Sequence, residues 1–162
     1  MTDEMLEDPR ITAMGLFVEA FSGVNARLNV QLAEHGLGNV DFEVLVRLAR
    51  SPGGELRMTD LAAQTGLSTS GVTRVVDRLE RDGLATRRAC PTDRRGSFTV
   101  ITPAGLDKMR EVLPGHLALI EEWFTGRLSP AALESLLTGL RTIRDAVRPE
   151  ATSGAASMRP AA

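Results

Sequence analysis

The chain has 162 residues, is 43% hydrophobic and carries a formal net charge of −2. That is enough for one apolar core, while five Phe, one Trp and no Tyr are too few for a stacking platform on single-stranded nucleic acid, and one cysteine excludes an internal disulfide. The first residues are acidic and lack a signal peptide's basic start and apolar run, and no apolar run reaches the ~20 residues that span a bilayer, so the expectation is a cytoplasmic protein with no membrane partner.

Residues 1–9 read as a flexible acidic leader. From Ile11 to about Glu34 the pattern is helical. Met14, Phe17, Phe21, Val24 and Leu28 step by three and four, a seam that could pack on another helix or on the chain's own core. His35-Gly36-Leu37-Gly38 ends it. Asp41 is read as the cap of a shorter helix with Phe42, Leu45, Val46 and Leu48 as its apolar positions, stopping at Ser51-Pro52-Gly53-Gly54. Glu55–Met58 is expected to be a short strand.

Thr59 is the expected N-cap of the next helix, with Asp60 in its first turn, and Gly66-Leu67 breaks it. Ser68 caps a second helix. A short helix, a tight turn opening with glycine and a second capped helix make a helix-turn-helix. In the second helix Val72, Val75, Val76 and Leu79 form one apolar stripe, and Ser70, Thr73, Arg74, Asp77 and Arg78 share another face. Hydroxyls and guanidinium groups suit a major groove, and the free N–H groups at Ser68, Thr69 and Ser70 suit phosphates. The same faces fit an ordinary surface helix, and this helix alone does not decide between the two.

The next segment shifts the balance. Leu84–Ala89 and Ser97–Ile101 read as strands around a turn-rich loop, Cys90–Gly96, which carries Arg94 and Arg95. This is a β-hairpin directly after a helix-turn-helix, a wing whose arginines could enter a minor groove. From Ser68 to Arg95 seven arginines stand against four acids, a local net of +3 on an acidic chain.

Thr102 then caps a long helix with Pro103 at its first position and Leu106, Met109, Leu113, Leu117, Ile120 and Phe124 on its buried side. Pro114 is expected to kink or break it. Ser129-Pro130 opens the last helix, striped by Leu133, Leu136, Leu137, Leu140, Ile143 and Val147. From about residue 148 the chain is expected to be disordered.

The run Ser68–Gly83, the wing motif Asp93-Arg94-Arg95 and the run Ile101-Thr102-Pro103-Ala104-Gly105 resemble the MarR family of bacterial transcription regulators over residues 10–147. The family pattern is Asp-x-Arg in the wing followed by Leu-Thr-x-x-Gly at the next helix, and Ile101 stands where Leu is usual. The resemblance implies a mainly α fold with a small β wing. It implies a winged helix-turn-helix over 37–101 for double-stranded DNA and a helical dimerisation region over 10–36 and 102–147. It also implies a homodimer, most often a repressor, on a pseudo-palindromic operator, with room for a small-molecule effector. Ser68, Thr69, Ser70, Thr73, Arg74 and Arg78 would then meet the major groove and its phosphates. Arg94 and Arg95 would act from the wing, Arg95 as the minor-groove residue, with Asp93 holding the wing by pairing with an arginine.

The competing reading is a winged helix that binds protein rather than DNA, which has no need of an arginine-tipped wing. No enzyme motif is present, and no catalytic residue, cofactor or metal is expected. Glu34, His35 and His116 are candidate zinc ligands, and two surface histidines are the favoured reading. Cys90 lies among four arginines that would favour its thiolate, but an incidental loop cysteine is preferred. Phe17, Phe21, Arg27 and Met109 are of the kind that could line an effector pocket, whose place the sequence leaves unknown.

Overall fold

A computed structural model describes residues 5–90 and 93–152, the side chains of Cys90 and Asp93–Arg95 lying outside that description. The described residues form six helices and a three-stranded antiparallel sheet of order β1-β3-β2. The helices are α1 (Pro9–Glu34), α2 (Asn39–Ala49), α3 (Met58–Thr65), α4 (Thr69–Arg81), α5 (Pro103–Trp123) and α6 (Pro130–Val147). The strands are β1 (Glu55–Arg57), β2 (Ala85–Cys90) and β3 (Asp93–Ile101). The fold is therefore mainly α with a small wing, as the sequence predicts.

The core sits in the winged helix. Leu32 from α1, Val44, Leu45 and Leu48 from α2, Leu61 from α3, Val72, Val76 and Leu79 from α4 and Val112 from α5 are all fully or almost fully buried. The α4 stripe packs as its spacing requires. Three predicted caps also form, with the Ser68, Thr102 and Ser129 hydroxyls accepting from the N–H of Gly71, Gly105 and Ala132.

The run from Ile101 to Gly105 joins wing to helix. Thr102 donates its hydroxyl to the Gly83 carbonyl at 2.7 Å, and its N–H donates to Leu84. Gly105 is buried against that same strand root, and a Cβ there would lie 2.1 Å from the Leu84 carbonyl oxygen. Glycine is thus required by close approach, not by backbone angle.

Several expectations need correction. Thr59 is not an N-cap: β1 runs directly into α3, which starts at Met58 with Arg57 at the cap position and no side-chain cap. Asp41 is not the cap of α2 either. Gly38 is, and Asp41, three residues in, accepts the Gly38 N–H at 3.2 Å. The helix α1 begins at Pro9, where Asp8 accepts the Arg10 N–H. The α5 helix runs unbroken through Pro114. Arg110 and Pro114 are both exposed, so solvent is at hand for the carbonyl the ring leaves without its helical donor. Its buried side runs through Gly105, Met109, Val112 and His116, whereas Leu117 is 57% exposed. After α6 the chain forms a 3-10 turn, Pro149–Thr152, where the sequence predicts disorder, and residues 153–162 lie outside the described residues.

Two apolar surfaces remain uncovered. On α1, Met14, Phe17 and Phe21 are each at least half exposed. The α6 helix buries no residue at all, and Ile143 and Val147 on its stripe face solvent.

Candidate nucleic-acid interface

The recognition helix α4 starts after Gly66, whose φ of 69° places the turn in the left-handed region. Ser68, Thr69 and Ser70 are exposed at its first turn, where amide groups lack helical partners. The Ser68 and Ser70 hydroxyl oxygens stand 3.1 Å apart, and Thr73 donates to the Thr69 carbonyl at 2.8 Å. Their second lone pairs and exposed positions leave them able to meet a phosphate or a base edge.

The arginines divide sharply. Arg78 turns away from the exposed face to grip Asp41 of α2, its Nε 3.0 and 3.1 Å from the two carboxylate oxygens and its Nη2 closing the pair. Asp41 is buried, and its carboxylate raises the Arg78 pKa above the ordinary guanidinium value. Arg87 of β2 spans back to α4, donating to Glu80, to Asp77 at 2.6 Å and to the Thr73 carbonyl at 3.3 Å. Its own N–H also donates to Glu80 at 2.6 Å. Arg88 points to the other side of the strand and pairs with Glu55 of β1. There Arg57 and Arg88 lie over the Phe98 ring, 5.3 and 4.9 Å from its centroid, in a row across all three strands. Arg81 sits 3.5 Å from Asp82.

Arg74 is different. It is exposed and makes no ion pair or hydrogen bond among the described residues. Much of the +3 read from the sequence is therefore spent within the fold, and Arg74 is the described cation of α4 left open to a ligand.

In the wing, β2 pairs with β3 from Ala85↔Ile101 to Ala89↔Ser97, and then Cys90 pairs with Asp93. Residues 94–96 consequently have no counterpart on β2. The strands reach further than the expected Cys90–Gly96 loop, and Arg94 and Arg95 fall in an irregularity of the ladder. The side chains of Asp93, Arg94, Arg95 and Cys90 lie outside the described residues, so the roles read for them rest on sequence.

Sequence reasoning missed Asp41, Glu80 and Glu55 as partners of the arginines. Strand alternation could have placed Arg87 and Arg88 on opposite sides of β2. Nothing local could have found the Asp41–Arg78 pair, which is 37 residues apart.

The histidines are not two surface residues. His116 is 6% exposed, with Nδ1 3.0 Å from Gln31 Oε1 and its ring centroid 4.3 Å from that of Phe42. Burial lowers its pKa. His35 lies 3.0 Å from Glu111. Among the described residues no cluster of three His, Cys, Asp or Glu is placed to hold a metal. No described helix is long and apolar enough to cross a membrane. The candidate pocket residues are not gathered together: Phe17 and Phe21 face solvent, Met109 is in the core, and Arg27 stacks 4.1 Å from the Trp123 ring centroid. A cavity of about 420 Å³ lies elsewhere, among Phe42, Val46, Arg47 and Arg50 of α2, Gln64 of α3 and Arg144 of α6.

This architecture has close counterparts. The model of the MarR family matches residues 35–96, spanning the scaffold helix, both reading helices and most of the wing. The chain is 34% identical to the HTH-type transcriptional regulator MhqR of Bacillus subtilis over 103 residues, 64% of this chain and 70% of the relative. It superposes on AbsC, a MarR family transcriptional regulator of Streptomyces coelicolor, with a TM-score of 0.83 at 35% identity, covering 88% of this chain and 96% of the other. The chain belongs to the MarR family. It is accordingly a DNA-binding transcription regulator and not an enzyme. Sco3205, a MarR regulator of the same organism solved in complex with DNA, matches with a TM-score of 0.83 at 31% identity over 88% of this chain and 93% of that one. CouR of Rhodococcus jostii, solved bound to p-coumaroyl-CoA, matches with a TM-score of 0.70 at 25% identity over 84% and 92%.

Proposed function

We propose that this MarR regulator is a homodimeric repressor that reads a pseudo-palindromic operator in double-stranded DNA and responds to a small-molecule effector. The observation that carries the reading is the exposed start of α4, where Ser68, Thr69 and Ser70 precede an Arg74 that has no partner among the described residues. The first three meet phosphates at the helix N-terminus, and Thr73 and Arg74 reach base edges in the major groove. Arg78 serves the interface as a brace, because Asp41 occupies its guanidinium. Arg94 and Arg95 act from the wing, Arg95 in the minor groove, and Asp93 holds the wing.

The uncovered faces of α1 and α6 support the dimer, since regions 10–36 and 102–147 carry more apolar surface than one winged helix covers. Two copies related by a two-fold axis place their recognition helices on half-sites about one helical turn (~34 Å) apart. For the effector, CouR supplies a ligand-bound relative, and the cavity between α2, α3 and α6 offers a site touching both regions.

The test is selection of bound fragments from genomic DNA, then gel shifts of the selected duplex across salt. Wild type should show a steep fall of affinity with salt. If Arg74→Ala and Arg95→Ala both leave affinity and salt slope untouched, the assigned contacts are wrong. Sedimentation of the free protein tests the dimer.

A further inference from the structure

The end of α6 is fastened to the DNA-reading unit through Arg148. Arg148, the residue that closes α6, donates from Nη2 to the Gln64 carbonyl at 3.1 Å. That carbonyl belongs to the last turn of α3, at the negative end of the helix dipole. The guanidinium lies against Gly66: a Cβ on that residue would sit 2.7 Å from Nη2. Gly66 is the turn of the helix-turn-helix, and the recognition helix begins three residues later.

A second fastening runs the other way. Arg47 of α2, already held by Glu43, donates from Nη1 to the Ala151 carbonyl and to Gln64 Oε1, each at 3.3 Å. One arginine from the dimer helix thus holds α3, and one from α2 holds the turn that follows the dimer helix. No residue of α6 is fully buried in its own chain, and only Leu133, Leu137, Leu140 and Arg144 are partly covered. With so little burial along its length, its tilt relative to α3 and α4 is constrained at this end by charged donors on carbonyl acceptors whose geometry is directional.

We propose that Arg148 and the turn Pro149–Thr152 form a latch that fixes α6 against the helix-turn-helix, and so sets the spacing at which two copies read DNA. Arg148 is a positioning residue and touches no DNA. The proposal rests on the reading of a homodimer on a two-half-site operator. Without the latch each recognition helix keeps its own contacts, while the distance between the two becomes soft.

The experiment uses the full chain and the duplex it selects from random sequence, together with duplexes carrying one base pair inserted or deleted at the centre. Wild type should prefer the selected spacing by at least about tenfold, since a one-pair shift misplaces one half-site's contacts. Arg148→Ala should bring that preference below about threefold while leaving the dimer and the affinity for a single half-site unchanged. Arg148→Met, which keeps the aliphatic stem and loses the donors, should match it. Arg148→Lys should recover part of the preference, because a lysine still offers a charged donor to the Gln64 carbonyl. If wild type discriminates spacing and both variants discriminate as well, the latch is wrong and the dimer reading stands. If wild type itself shows no preference, both are wrong. A merely structural role would lower the affinity for every duplex alike.

Discussion

Arg78 and Asp41 join the recognition helix to the scaffold helix behind it, through contacts from both Nε and Nη2 to the carboxylate. Asp41 also accepts the Gly38 N–H that opens α2, so one buried carboxylate fixes the start of one helix and the axis of another. Asp41→Ala removes both and leaves the Arg78 guanidinium half-buried without its partner. Because the Arg78 side chain is 40% exposed, water recovers part of the loss. The expected cost is about 2–3 kcal/mol in urea unfolding. A cost under about 0.5 kcal/mol would mean that the pair does not hold α4.

Arg74 should show the opposite profile. It supports nothing among the described residues, so Arg74→Ala should leave stability within about 0.5 kcal/mol. DNA affinity should fall by ~1–3 kcal/mol if the residue reads a base, and the salt slope should become shallower by about one if it meets a phosphate. Titrations of the selected duplex at several salt concentrations distinguish these outcomes, and unchanged affinity with lost stability would reverse the roles given to Arg74 and Arg78.

Arg87 neutralises two carboxylates on the recognition helix, Glu80 and the exposed Asp77. Arg87→Ala removes the guanidinium from both, while the residue-87 N–H still donates to Glu80 and keeps the strand tied to α4. Affinity should drop more at low salt than at high salt, because the added repulsion is screened over ~10 Å at 0.1 M. Adding Asp77→Asn should restore part of the affinity. An equal drop at all salt concentrations, with no rescue, would assign the loss to wing position alone.

Gly105 predicts a steric failure. The Cβ of Gly105→Ala would lie 2.1 Å from the Leu84 carbonyl oxygen and 2.8 Å from an Ile101 side-chain carbon. Backbone cannot yield as a flexible side chain does, so the first turn of α5 must move off the strand root. The expected loss is at least about 2 kcal/mol. A thermal midpoint equal to wild type's would show that this junction is looser than its geometry.

What could be read from the sequence follows the range of each interaction. The caps at Ser68, Thr102 and Ser129 bind an amide three residues on, and the α4 stripe needs only helical period, so both were legible. The run Ile101–Gly105 was legible as a pattern, while its cause, the approach of Leu84 and Gly83, became visible only in the fold. The arginines were legible as a group and not individually. Arg78 meets a residue 37 positions away and Arg88 one 33 away, so a count of charges treated structural and open cations alike. On α5 Leu106, Met109 and Leu113 meet the core as their spacing predicts, and Leu117 departs for a related reason. Leu117 is more apolar than His116, but Gln31 and Phe42 offer the histidine a partner and a ring, and the leucine stays outside.

His116 gives the chain a pH dependence of definite sign. Gln31 donates its amide to the Val112 carbonyl at 3.2 Å, which turns its oxygen toward His116, so Nδ1 carries the proton and donates. This arrangement joins α1, α2 and α5 with the ring neutral. Burial lowers the pKa of His116 below its ordinary 6.5, so the unfolded chain takes up the proton first as pH falls. Above 6.5 both states are neutral and the contribution is fully present. Below it stability declines until pH passes the folded value, after which the loss is complete. Glu111 acts in a separate window: His35 and Lys108 hold its pKa below 4.5, so its contribution is lost only in more acid solution. Thermal midpoints should therefore fall as pH drops below 6.5. His116→Gln, which keeps a donor and cannot charge, should flatten that decline while leaving the fall below 4.5 in place. An unchanged decline in His116→Gln would place the titrating group elsewhere.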